Sequence, residues 1–281
     1  GRPPTSHPFM ALPIVHHPDY DAESVPDGHR FPMRKYSLLA TLLRERGERF
    51  AVPAHAPERW LHLAHDPAYV TAVLTSSVDA RTARRIGFEM TPAIAARTRA
   101  SVGGTCLAAR LALQEGAAVS LAGGSHHANY ESGAGFCVFN DVAVAARAMQ
   151  AEGLARKIAI IDCDVHHGDG TASIFTGDSS VFTASLHCED NWPREKPPSD
   201  LDVGLAKGEG DADLHPPRWH KKKVSCEVWR SCERYCIIMP PIGAYFIART
   251  AGCGAASKVV NAGTQSCPNR IQAPRLPIWS Q

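Results

Sequence analysis

Residues 158–172 read IAIIDCDVHHGDGTA: an apolar run stops at Asp162, and Asp162, Asp164, His166, His167 and Asp169 follow within eight positions. A short continuous apolar run suits a strand buried on both faces of a parallel sheet. In such sheets ligands bind at the carboxyl ends of the strands, where this cluster stands. Asp162, Asp164 and His166 alternate, so an extended strand end would project all three to one side. Two carboxylates and an imidazole there suit Zn²⁺, Fe²⁺ or Mn²⁺. Taken alone, the stretch also fits a solvated turn with capping carboxylates.

The flanking sequence repeats the strand and helix alternation. AAVSLAGG (117–124) predicts a buried strand ending in a glycine turn, and NDVAVAARAMQAEG (140–153) a helix capped by Asn140. TASIF (171–175) predicts a helical turn and SVFTASLH (180–187) a further strand. Upstream, Thr91 and Pro92 mark the start of a helix running to Gly116, with Gly103 and Gly104 as either a weak point or a close packing point. KYSLLATLLRERG (35–47) predicts an amphipathic helix with Leu38, Leu39, Leu42 and Leu43 on its buried face. This order implies an α/β fold with a parallel sheet covered by helices.

A second cluster lies at another strand end. AGGSHHANYESGAGFCVFND (122–141) sets His126 and His127 beside a glycine-rich loop that carries Phe136. One histidine is most often structural, but two adjacent ones in a glycine loop at the same sheet edge suit acid and base work near neutral pH.

The segments GGSHHA, GFCVFND, DCDVHHGDGT and FTASLH, with HRFPMRKY (29–36) before them and NWPREKPPSDLDVGL (191–205) after, resemble the histone deacetylase superfamily, in particular its class IV branch and bacterial relatives. The resemblance covers residues 18–206. It implies the arginase/deacetylase fold, a three-layer α/β/α sandwich around a mainly parallel sheet. It implies Asp164 and His166 as ligands of Zn²⁺ or Fe²⁺, and His126 and His127 as catalytic histidines oriented by Asp162 and Asp169. Gly135, Phe136 and Trp192 correspond to the acyl-lysine tunnel. Asp162, Asp164, His166, Ser185 and Leu186 correspond to a structural K⁺ or Na⁺ site, and His167 is expected to be packed rather than ligating. The implied reaction is hydrolysis of an acyl-lysine protein or a small acylated amine, and the class IV likeness favours long acyl chains.

The chain departs from that pattern in its last part. The family takes its third metal ligand from a G-x-D-x-x-x-x-D-x-L-G segment and its oxyanion tyrosine from G-G-G-Y, and neither is present. NAGTQSCPN (261–269) begins like the first and lacks its Asp; Tyr235 and Tyr245 follow no glycine triplet. Composition changes at the same place. Residues 1–214 hold 20 Lys+Arg against 26 Asp+Glu, whereas 215–281 hold 10 against 2 and five of the nine cysteines. Residues 1–206 therefore read as an incomplete deacetylase-like domain and 207–281 as a basic, Pro- and Cys-rich tail without order, leaving a parallel-sheet edge exposed. The alternative to an active hydrolase is a catalytically impaired relative.

Other classes fit less well. An arginase-like ureohydrolase shares the fold, but SHHA with GFCVFND argues against it. Cys226, Cys232 and Cys236 with HKKK (220–223) lack the spacing of a zinc knuckle, so no direct nucleic-acid binding is expected. No apolar run reaches about eighteen residues, and scattered, odd-numbered cysteines suit a reducing compartment. A cytoplasmic protein is expected, or a nuclear one in a eukaryote, neither secreted nor membrane-bound. The abrupt change suggests an altered reading frame or exon. The coding DNA beyond codon 207 is then expected to carry a D-x-L-G or G-G-G-Y segment in another frame, and sequencing that reveals neither counts against it.

Overall fold

The computed structural model describes residues 12–209 together with Tyr235–Met239 and Ala244–Ala248. In chain order the elements are β1 (Ile14–Val15), α1 (Lys35–Glu45), β2 (Phe50–Ala51), α2 (Glu58–Leu61), α3 (Pro67–Leu74), α4 (Ala80–Ile86), α5 (Pro92–Glu115) and β3 (Ala117–Ser120). Then follow α6 (Asp141–Ala151), β4 (Ile158–Asp162), α7 (Asp169–Phe175), β5 (Val181–Cys188), β6 (Leu201–Leu205), β7 (Tyr235–Met239) and β8 (Ala244–Ala248). The strands form one sheet in the order β2-β1-β3-β8-β7-β4-β5-β6. All pairings are parallel except those of β8, which runs against both its neighbours.

Local signals explain the main elements. Ile158, Ala159 and Ile160 are consecutive and all buried, so the apolar run is covered on both sheet faces, and β4 is an inner strand between β5 and β7. At the start of α5 the Thr91 hydroxyl accepts the Ile94 amide, Pro92 takes the first helical position, and Gly116 ends the helix at φ +87°. Asn140 caps α6 by accepting the Ala143 amide at 3.0 Å. The glycine pair within α5 is a close packing point: a Cβ on Gly103 would meet the Ala54 carbonyl, and one on Gly104 the Tyr20 hydroxyl. The helix α5 also lies against β1, β3 and α6.

Two expectations are corrected. In α1 the buried stripe is Tyr36 and Ala40 with Leu39 and Leu43 partly covered, while Leu38 and Leu42 are 58% and 56% exposed. Four leucines span more of the helix circumference than the contact with the body covers, so positions i, i+3, i+4 and i+7 from Tyr36 won. The sheet also does not end with the composition change at 206. YCIIM and AYFIA, both inside the 207–281 segment, supply β7 and β8 in its middle, so β4 is covered by β7. Short apolar runs flanked by prolines carry little periodicity, and only the second stands out in the sequence. Residues 210–234, 240–243 and 249–281 lie outside the described residues.

Among the described residues Cys106, Cys137, Cys163 and Cys188 are free thiols, and no helix is long and apolar enough to cross a membrane.

His65, fully buried between α2 and α3, ties this frame to the loop before α6. Its Nε2 accepts the Asn140 amide at 2.9 Å, so Nδ1 carries the proton and donates to the Asn129 carbonyl at 2.9 Å. Burial pushes its pKa down to about 4 by disfavouring the charged form, with the Asn129 carbonyl pulling the other way. With the folded value depressed below the ordinary 6.5, the unfolded chain binds the extra proton first as pH falls, so stability drops between 6.5 and about 4. The gap corresponds to roughly 3 kcal/mol. Urea unfolding across that range is expected to show this loss, and His65→Gln, which can still donate and accept, to flatten it.

Candidate active site

The chain leaves β4 at Asp162 and curls at once. The Asp164 amide donates to Asp162 Oδ1 at 2.9 Å and the His166 amide to Asp164 Oδ1 at 2.8 Å, successive side-chain turns typical of Asp. The strand period thus stops at Asp162, and the three alternating residues do not share one face. Asp162 is buried behind, whereas Asp164 and His166 line an open cavity of about 780 Å³.

The loop after β3 brings two imidazoles to the same cavity. His126 and His127 are each 5% exposed, with ring centroids 3.9 Å apart. His126 Nδ1 meets Asp162 Oδ2 at 2.5 Å, and His127 Nδ1 meets Asp169 Oδ1 at 2.5 Å. Both imidazoles are thereby anchored through Nδ1, which leaves Nε2 of each for chemistry. Glycines allow this approach. A Cβ on Gly168 would strike the Asp162 carboxylate, and one on Gly170 the carbonyls of Ala128 and His126, so the first turn of α7 sits directly on the histidine loop. The Thr171 amide donates to the His126 carbonyl at 3.1 Å.

Three supporting residues carry no metal or catalytic signature and are absent from the site read in the sequence. Asp141, fully buried at the start of α6, accepts the Gly124 and Ser125 amides at 3.1 and 2.8 Å and the Thr105 hydroxyl at 2.5 Å. The Asn140 amide group donates to the Ala128 carbonyl and the Thr171 hydroxyl at 3.1 and 3.0 Å. Arg85 Nε donates to the Gly133 carbonyl at 3.1 Å. The signal available for the first two was the ND at the end of GFCVFND, where Asn140 reads as a helix cap and Asp141 is given no role of its own.

Electrostatics separate the two histidines. Burial opposes protonation of His126, but the charge of Asp162 and its hydrogen bond, with Asp164 and Asp169 adding, outweigh burial and raise its pKa to about 9. Burial lowers the pKa of His127; the Asp169 hydrogen bond pulls the other way, and the neighbouring His126 adds to the lowering. Near neutral pH the pair is one cation beside one neutral imidazole. Burial also works against the Asp164 carboxylate, yet hydrogen bonds from His166 and the charge of His126 hold it down at about 2.

The remaining positions read in the sequence gather around this pair. Gly135 and Phe136 have positive φ, +53° and +67°, and their amides donate to the carbonyls of Arg85 and Ile86. Such backbone is strained for Phe and is held here by α4. A Cβ on Gly135 would lie 2.8 Å from His127 and 3.0 Å from Trp192, and the Trp192 ring stands 4.4 Å from that of His127. Phe136 packs against Phe31, Phe88 and His29, across from Gly87. Ser185 is the register partner of Asp162 on β5, with Leu186 next to it, and its hydroxyl accepts the Gly168 amide at 3.3 Å. His167 turns away from the cavity and meets Asp202 at 3.1 Å.

The donors suit a divalent ion in type and are short in number. Asp164 Oδ1 and His166 Nδ1 are 2.9 Å apart, near the roughly 3.3 Å between two ligands of a tetrahedral Zn²⁺. A catalytic zinc takes three protein ligands. Among the described residues, trios of His, Cys, Asp or Glu whose ligand atoms all lie within 4.8 Å of one another are found at His17, Asp19 and His55 and at His167, His187 and Asp202, not around Asp164 and His166. On the neighbouring strand Met239 of β7 is in register with Asp162, and the sequence continues Pro240, Pro241, with no carboxylate.

Residues 29–224 match the family model described as the histone deacetylase domain. An uncharacterized protein of Picosynechococcus is 48% identical over 206 residues, 72% of this chain and 68% of that protein. A probable deacetylase of Methanothermobacter thermautotrophicus is 33% identical over 180 residues, 62% of this chain and 53% of that protein. The crystal structure of the HDA15 HD domain superposes with a TM-score of 0.62 at 23% identity, covering 82% of this chain and 73% of that one. The chain thus spans about two thirds of the first relative and about half of the second.

Asp141→Ala removes a buried acceptor of three hydrogen bonds and leaves the donors unpaired. It is expected to cost roughly 3 kcal/mol in urea unfolding, with Asp141→Asn losing less.

Proposed function

The chain belongs to the histone deacetylase family, and on that premise we propose that it is a metal-dependent hydrolase that removes an acyl group from an acyl-lysine protein or a similar acylated amine. The observation that carries this reading is the pair of adjacent imidazoles, each anchored through Nδ1 by its own carboxylate at 2.5 Å, with Nε2 left for chemistry.

In this reading the acylated side chain enters between Phe136 and Trp192, and the Gly135 carbonyl meets its amide. His127, neutral, accepts a proton from the attacking water at Nε2 and returns one to the departing amine. Asp169 holds that imidazole in the tautomer the transfer needs and stabilises it while charged. His126, already cationic, supports the negative charge that develops on the acyl oxygen. Asp164 and His166 would hold Zn²⁺ or Fe²⁺, which when bound supplies Lewis acidity at the carbonyl. Asp162, Ser185 and Leu186, with Asp164 and His166, would hold a structural K⁺ or Na⁺ beneath.

A second reading is favoured by one observation: the described residues bring two metal donors together where three are needed, beside a strand that ends in Met239. It is a deacetylase-like domain with impaired catalysis. Steady-state hydrolysis of an acetyl-lysine peptide with and without added Zn²⁺ separates the two. The hydrolase reading expects turnover that a chelator abolishes and that His127→Ala lowers by about 100- to 10,000-fold. Absence of turnover at saturating Zn²⁺ in a folded sample selects the second.

A further inference from the structure

The cavity that holds the histidine pair is lined by five cationic side chains, Arg30, Lys35, Arg84, Arg85 and Arg97. Against them stands one carboxylate among its described lining residues, Asp164. Asp162 and Asp169 are bonded to the two imidazoles and do not line it. Arg97 is the most telling. It is 6% exposed, its Nε donates to the Tyr20 carbonyl at 3.0 Å and a terminal nitrogen to the Tyr36 hydroxyl at 2.9 Å. Its guanidinium lies 5.2 and 5.4 Å from the ring centres of Phe31 and Tyr36. Among the described residues the arginines paired with carboxylates are Arg110 and Arg147, not Arg97. A buried guanidinium without a carboxylate is costly; aromatic faces offset part of that cost, and an anion in the cavity would offset the rest.

We propose that the substrate of this site carries a carboxylate into the cavity, a specificity that rests on the amide-hydrolase reading above. The excess of positive charge disfavours a Lys- and Arg-rich peptide and gives a plain hydrocarbon acyl chain no partner for the cations. The carboxylate has two possible sources: the far end of a dicarboxylic acyl group, or acidic residues of the carrier next to the acylated amine. Both bring the same chemistry, a carboxylate, to a cavity lined by these cations.

The test uses the full chain and four peptides of equal length, with affinity measured by calorimetry and turnover measured separately. One carries acetyl-lysine with neutral flanks, one succinyl-lysine with the same flanks, one acetyl-lysine with Asp and Glu flanks, and one acetyl-lysine with Lys and Arg flanks. The succinyl or the acidic peptide is expected to bind on the order of tenfold more tightly than the neutral one, and the basic peptide more weakly. The advantage should shrink with salt. A succinyl preference assigns the carboxylate to the acyl group, and an acidic-flank preference assigns it to the carrier. Arg84→Glu, at an exposed position, should remove most of the preference with the thermal midpoint unchanged. Arg97→Gln should do the same, with its fold checked by circular dichroism. Equal binding of all four peptides, binding of none, preference for the basic one, or a preference that survives both variants overturns the proposal. Because affinity is read apart from cleavage, selective binding without turnover sinks the hydrolase reading and leaves this one. Equal binding with turnover does the reverse.

Discussion

Everything in the site depends on two imidazole–carboxylate contacts, His126 to Asp162 and His127 to Asp169, which join residues 36 and 42 positions apart. In the sheet, β3 and β4 are not neighbours, for β8 and β7 lie between them. Three interstrand spacings amount to about 14 Å, so the loop after β3 has to reach across strand ends to meet Asp162. The glycines at 123, 124, 168 and 170 permit that reach and the close contact at its end, and Asp141 with Asn140 pins the loop where it arrives.

The same geometry decides the protonation of the pair. His126 is ringed by three carboxylates in a water-poor setting, where charge interactions are strengthened, and it holds its proton. His127 is lowered first by burial, which its one hydrogen-bonded carboxylate opposes and the His126 ring 3.9 Å away reinforces. Two residues of one type, adjacent in sequence, thus take different charge states because of what the fold sets beside each. That division is what acid and base chemistry at one carbonyl requires.

The segment beyond residue 206 changes the meaning of the site without disturbing its described half. Strands β7 and β8, of sequence YCIIM and AYFIA, close the sheet between β3 and β4. Apolar runs are interchangeable for that purpose, whereas a metal ligand is not. A strand can therefore occupy the slot beside Asp162, with Met239 in register with it, whether or not its sequence carries a carboxylate. Fold and metal-ligand supply are separate demands on a sequence, and among the described residues only the first is met by local apolar runs.

Much of this was legible in the sequence. The alternation of apolar runs and glycine-stopped helices determined an α/β sheet fold, because burial on both faces and helical periodicity leave their marks within a few residues. The caps at Thr91 and Asn140 were readable for the same reason, being local hydrogen bonds. Both histidine clusters announced themselves by composition. Tertiary structure alone decided that Gly103 and Gly104 are packing points and that α1 turns Leu38 and Leu42 outward. It alone decided that β7 takes the slot beside β4, that His65 and Asp141 hold the loops, and that five cations face the cavity. Each of these is set by what lies opposite in space, and residues tens of positions apart carry no record of one another in a single chain's order.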